Sequence, residues 1–275
     1  MKKRLVPFSR AGSVYGLVIL TAAFVFIFLC HVAASPQSSG DELFFRANQA
    51  FREARYAEAA KDYEALIASG YAGGHLYYNL ANACLKSDRL GVAILNYERA
   101  RLLIPRDADL AFNLSYAQDR RTDAVQPPAQ TISSVFFWLG SFNLPELFWT
   151  FAALNAALFA VLILRVFAKS DWSYYVFVTL LFLWLAGGVS FSLKLYETSS
   201  DDRCVVISRQ ADVLAGPQAG DTLLFRLHEG TVVHGERSDS GWKLISLQDG
   251  KRGWIRSADV GAIMDNRLRQ KLIPW

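Results

Sequence analysis

A chain of 275 residues allows about one to three domains. Hydrophobic residues make up 52% and charged residues only 20%, a balance that leans toward a membrane protein. The formal net charge of +4 is carried by Lys2, Lys3, Arg4 and Arg10, so residues 35–275 are neutral and give no electrostatic reason to bind nucleic acid.

Residues 1–34 have the three parts of a secretory signal: four cations, an uncharged apolar stretch over 14–29, and the small-residue pattern Val32-Ala33-Ala34 before Ser35. Cleavage after Ala34 is the natural expectation, with an uncleaved anchor as the rival. The bulky residues Ile27-Phe28-Leu29 before Cys30 do not match a lipid-acylation box. Removal of the signal leaves Cys84 and Cys204, each in an apolar run. They read as buried free thiols; a single disulfide between distant segments is the alternative.

Residues 41–122 read as helical, with apolar residues at i, i+3, i+4 and i+7 over 41–51, 57–68, 75–86, 90–103 and 108–120. Gly70, Gly73 and Gly74 separate the first pair from the second. Pro105 ends the fourth helix, and Asp107 or Asp109 can cap the fifth. A spacing of 34 residues recurs: Asn48 and Asn82, Ala59 and Ala93, Tyr63 and Tyr97, Asn79-Leu80 and Asn113-Leu114. The second copy runs Tyr77-x-x-Leu80-Ala81-x-x-Cys84, then Ala93-x-x-x-Tyr97, then Pro105. Its spacing resembles that of the tetratricopeptide (TPR) repeat, departing in Tyr for Trp, Ala for Gly and Cys for Tyr. The expectation is two full repeats and a fifth helix that caps the stack.

Residues 123–143 read as a linker followed by a short aromatic stretch suited to the membrane interface. Two uncharged runs of 18 residues, 147–164 and 176–193, follow. Each is long enough to cross a bilayer, with spans expected over 144–168 and 172–195. Asn143 and Pro145 supply a cap and a first-turn proline. Arg165 and Lys169 in the tight turn place that turn in the cytoplasm and both flanking regions on the far side. Ala152, Ala156 and Ala160 form a small-residue stripe expected to face Gly187 and Gly188 across the hairpin, with Asn155 beside it. Asp201-Asp202 reads as a solvated linker.

Residues 202–263 carry short strands at 205–207, 212–214, 223–227, 231–236, 242–246 and 253–255, separated by turn signals. Ala215-Gly216-Pro217, Phe225-x-Leu227-x-Glu229-Gly230-Thr231, Gly241-Trp242 and Asp249-Gly250-x-x-Gly253-Trp254 resemble the landmarks of a small bacterial SH3 barrel. Residues 264–275 are left as a C-terminal tail. The expected fold is therefore multidomain: an all-α TPR solenoid, a two-helix transmembrane hairpin and a small all-β SH3-like barrel.

That order of modules resembles the BatE-like TPR proteins of the aerotolerance operon. The resemblance implies an inner-membrane component working beside Bat proteins of the von Willebrand type and a MoxR-type ATPase, with its soluble parts in the periplasm. It supplies no molecular activity.

The 34-residue period aligns three rows on the first helix of each repeat: Arg52, Lys86 and Arg120; Asn48, Asn82 and Tyr116; Phe44, Tyr78 and Phe112. Cations beside amides and rings suit an acidic peptide or a free carboxylate. A solvated face with internal pairing, to Asp62 or Asp119, is the alternative. Trp242 and Trp254 suit either an aromatic ligand groove, with peptidoglycan as the first ligand to test, or the core of the barrel. There is no P-loop, H-E-x-x-H, G-x-S-x-G or paired-cysteine signature, and His75, His228 and His234 share no ligand spacing. No catalytic, metal or cofactor residue is expected. Two function classes follow: a membrane-anchored scaffold for protein partners, and an envelope sensor that binds the cell wall through its barrel.

Overall fold

The computed structural model describes residues 39–123, 136–167 and 170–273. The expected signal segment at 1–34 and most of the linker lie outside these residues. The described residues from Leu43 onward form one compact unit; of residues 1–42, only the start of the first helix is described.

Five helices come first: α1 Ser39–Arg52, α2 Tyr56–Ala68, α3 Gly74–Lys86, α4 Leu90–Leu103 and α5 Ala108–Asp119. Their ends follow the local chemistry. Asp107 Oδ1 accepts from Leu110 N at 2.8 Å and starts α5. Gly70 takes φ +93°, which closes α2. Small residues at repeat-equivalent positions, Ala47, Ala59, Ala81 and Ala93, are fully buried and let neighbouring helices approach.

A 3₁₀ turn at Phe137–Ser141 leads into α6 Leu144–Phe167 and α7 Asp171–Ser199. Asn143 Oδ1 accepts from Glu146 N, and Glu146 Oε2 accepts from Asn143 N, a reciprocal cap. Both helices are long and apolar enough to cross a membrane, with mean hydropathy 2.2 and 2.1. Their apolar windows are only 11% and 0% buried, which is not the burial of a soluble core helix and supports a membrane protein.

The expected alanine stripe does not form the hairpin seam. Ala156 and Ala160 are exposed, and a side chain at Gly187 or Gly188 would instead meet Leu154 and Phe151. Phe151 also stacks on Phe191 at 6.1 Å and lies beside Trp184 at 5.8 Å. The glycines of α7 thus receive a ring from α6, so the seam lies on the row of large side chains, with Leu147 and Leu158 buried along it.

The C-terminal region is a seven-stranded antiparallel sheet in the order β3-β2-β6-β5-β4-β1-β7. Its strands are β1 Arg203–Val206, β2 Gln210–Leu214, β3 Leu223–His228, β4 Val232–Asp239, β5 Trp242–Ser246, β6 Arg252–Arg256 and β7 Val260–Ala262. Positive φ at Gly230, Ser240, Gly241 and Gly250 marks the turns.

Two elements were not expected: β7, and a terminal helix α8 Asn266–Leu272 within the supposed tail. Asp265 caps α8, and Leu268 and Leu272 are 0% and 2% exposed. Together with Val205, Val232 and Ile263 they belong to the same apolar cluster as the helix pairs. The helical region and the sheet therefore share a core, and Leu144, Phe191 and Leu195 bring the ends of the hairpin into it.

Candidate functional site

The repeated asparagines sit at the centre of two matching hydrogen-bond clusters. Asn48 Oδ1 accepts from Tyr63 OH at 2.6 Å and from Asn79 Nδ2 at 3.3 Å. Thirty-four residues on, Asn82 Oδ1 accepts from Tyr97 OH at 2.6 Å and from Asn113 Nδ2 at 3.1 Å. Asn113 also donates to Tyr78 OH at 2.8 Å. Phe44 lies 6.0 Å from Tyr63, and Tyr78 lies 6.0 Å from Tyr97. Burial pushes the Tyr63 phenol up to about 12 and raises that of Tyr97. So Asn48, Asn82, Phe44 and Tyr78, read from sequence as groove residues, are half-buried and already make contacts within the protein. These bonds tie α1 to α3 and α3 to α5, and they account for the 34-residue echo.

The other five candidates lie in the open. Arg52, Lys86 and Arg120 are exposed, as are Phe112 (73%) and Tyr116 (52%). Arg52 lies over the ring of Phe45 and Arg120 over that of Tyr116, each at 5.9 Å. Among the described residues none of the three cations forms an ion pair, although most arginines around them do. Arg46 holds Asp62, Arg89 holds Glu64 and Arg101 holds Glu98. The hydrogen bond from Arg46 lowers the Asp62 pKa, so that carboxylate is committed away from Arg52. The surface formed by α1, α3 and α5 thus presents three exposed cations, two of them over aromatic rings, with no ion pair to any of the three among the described residues.

The opposite side of the helical region is closed by the sheet. Gly91 packs so closely on β1 that an added Cβ would lie 2.5 Å from Val206 O. Gly91 N donates to Glu229 Oε2 at 3.0 Å, so the turn between β3 and β4 supplies the carboxylate that α4 lacks at its own N-terminus. Arg267 of α8 donates to Ile67 O at 2.6 Å, near the end of α2. Arg99 reaches Ala262 O at 2.8 Å and Asp265 at 3.1 Å.

Asp123 accepts from His228 N at 2.7 Å, Thr231 Oγ1 at 2.7 Å and His228 Nδ1 at 2.8 Å. Burial opposes the charge of Asp123, but these bonds prevail and hold its pKa below the usual carboxylate range.

The expected solvated linker at Asp201 is instead part of a buried ionic network. Arg203 binds Asp201 through two nitrogens at 2.8 and 2.7 Å and lies 3.6 Å from Glu98, which also holds Arg101 at 2.6 Å. The side chains of Glu98 and Asp201 are 3% and 7% exposed. Burial opposes the Arg203 charge, but the bonds to Asp201 and the field of Glu98 outweigh it and raise its pKa. The network joins α4 to the chain leaving α7. None of these contacts has a local sequence period; the in-helix glycine at 91 was the one visible sign of a close partner.

Trp254 is 7% exposed, and Arg237 lies over its ring at 5.1 Å. It serves the sheet as a packed anchor and presents no open face, while Trp242 is half-buried at the start of β5. Cys84 and Cys204 are free and buried; burial pushes the Cys84 thiol up to about 12 and also raises Cys204. Among the described residues, no group of three or more His, Cys, Asp or Glu side chains could hold a metal. The chain matches no family model and no curated protein.

Proposed function

We propose that this chain is a membrane-anchored scaffold of the BatE-like kind, with a TPR-type helical region and an SH3-like sheet held on the periplasmic side of the inner membrane. Its partner surface is the face of α1, α3 and α5, and its ligand is an acidic segment of another envelope protein, with Bat proteins of the von Willebrand type as the partners suggested by the resemblance. The single observation that carries this reading is the column of Arg52, Lys86 and Arg120, exposed beside aromatic rings and unpaired among the described residues. A face used only for solvation gains from interleaved ion pairs; here the three cations have none among the described residues, whereas Arg46, Arg89 and Arg101 each hold a carboxylate. The cell-wall reading has less support, because Trp254 is buried under Arg237.

Exposed ion pairs contribute about 0–1 kcal/mol each, so a single substitution would be hidden. The combined reversal Arg52→Glu, Lys86→Glu and Arg120→Glu in the full chain is expected to abolish co-purification of partners from detergent, with the largest effect at low salt. Thermal unfolding checks that the variant is folded. A folded triple variant that recovers the same partners as the wild type would overturn the reading.

A further inference from the structure

An open cavity of about 700 Å³ lies where α6 ends and α7 begins, lined by Leu162, Arg165, Val166, Ser170, Asp171 and Tyr174 among others. Such a volume is in the range of small-ligand sites, about 300–1,000 Å³. Arg165 is held over two rings of α7, at 5.5 Å from Tyr174 and 5.1 Å from Phe177. Aromatic faces fix a guanidinium plane while leaving its N–H edge free to donate. Among the described residues no carboxylate pairs with Arg165. Asp171 lines the same cavity yet forms no ion pair with it.

Among the described residues the cavity thus presents a cation and an anion that do not pair with each other, with apolar walls from Leu162 and Val166 on the α6 side. We propose that this site binds the headgroup of a zwitterionic phosphoethanolamine lipid. The phosphate accepts from the Arg165 guanidinium, and the ammonium donates to the Asp171 carboxylate. Leu162 and Val166 border the glycerol and the first acyl carbons. An anionic headgroup without an amine satisfies Arg165 but meets repulsion from Asp171, so the charge pattern selects the zwitterion. Basic pockets between membrane helices are a known kind of headgroup site, and here the carboxylate adds the selectivity. The inference rests on α6 and α7 spanning a bilayer and is independent of the partner surface on α1, α3 and α5.

Native mass spectrometry of the full chain, released from nanodiscs of equal phosphatidylethanolamine and phosphatidylglycerol, tests it; incorporation into nanodiscs separately checks the membrane reading. The wild type is expected to keep phosphatidylethanolamine adducts in preference. Arg165→Gln should reduce both lipid adducts by about tenfold, the loss that follows removal of one charge-assisted hydrogen bond. Asp171→Asn should retain binding but shift the preference toward phosphatidylglycerol. That shift cannot arise from misfolding, which would lower both adducts together. The proposal is overturned if the wild type shows no preference, if Asp171→Asn leaves the ratio unchanged, or if inorganic phosphate displaces the lipid.

Discussion

Helices α4 and α5 pack side by side with similar overall apolar content, yet they live in different surroundings. On α5 only Leu110, Leu114 and Ala117 are buried, a single stripe at helical spacing, and the far side carries Phe112, Tyr116 and Arg120 into the open. On α4 the buried set runs Gly91, Ala93, Ile94, Leu95, Asn96, Tyr97, Glu98 and Ala100, which goes round the helix. The difference teaches that apolar content does not fix a helix's neighbours, whereas its angular distribution does. One stripe means one partner and a free face. A buried circumference means partners on both sides, here other helices and the sheet. The free face is then where an external partner can act, and the enclosed helix is where the molecule is held together.

The largest test of that contrast is Arg203→Met. It leaves Asp201 charged and buried without its cation, while Glu98 loses one of two and keeps Arg101. Breaking a buried ion pair from one side costs about 3–5 kcal/mol. Denaturant unfolding of the full chain in detergent should show a loss of this order, while Lys86→Gln on the free face should change stability by less than about 0.5 kcal/mol. Equal, small effects from the two would mean that the network around α4 does not hold the unit together.

A smaller and more diagnostic effect is expected from Gly91→Ala. On a helix with a free face this change stabilises by up to about 1 kcal/mol, because alanine has the better helix propensity. On α4 the new methyl meets the Val206 carbonyl at 2.5 Å, and both backbones are fixed. Overpacking of this kind costs about 1–3 kcal/mol, so the sign should reverse and the midpoint should fall. A rise in stability would show that the sheet does not press on α4 in solution.

The helices and most of the strands were legible because their signals are local: apolar periodicity, Pro105 after α4, Asp107 before α5, glycines at the turns. The echo of Asn48, Tyr63 and Asn79 in Asn82, Tyr97 and Asn113 was visible as a pattern. Its content, a phenol and an amide converging on one carbonyl, was not. Alignment by period put Asn48 and Asn82 in one row but could not name their hydrogen-bond partners, because it gives position along a helix and not what lies across from it. The docking of the sheet was hidden for a different reason. Glu229 with Gly91, Asp123 with His228 and Arg267 with Ile67 are each more than 100 residues apart in sequence, and charged residues near turns usually read as solvated. Leu268 and Leu272 lie one helical turn apart in a seven-residue helix, too short a run to establish a period.

The smallest expected effect belongs to Asp123, and it adds a pH dependence to the contrast. Asp123→Asn keeps one carbonyl acceptor but removes the charge that gathers His228 N, His228 Nδ1 and Thr231 Oγ1. The loss should be about 1.5 kcal/mol near neutral pH, the low end of the range for hydrogen bonds to a charged group, since the amide keeps one acceptor. The folded-state pKa of Asp123 lies below its ordinary value of 3.8. Its contribution is therefore fully present above 3.8 and is lost as the pH falls through the depressed folded value. Unfolding curves of wild type and Asp123→Asn should accordingly stay separated by a constant amount from neutral pH down to about 5 and converge below 3.8. Lys86→Gln, which removes a charge with no ion-pair partner among the described residues, should run parallel to the wild type over the same range. A gap between wild type and Asp123→Asn that persisted unchanged into strong acid would show that the carboxylate charge is not what fastens the end of the helical region to the sheet.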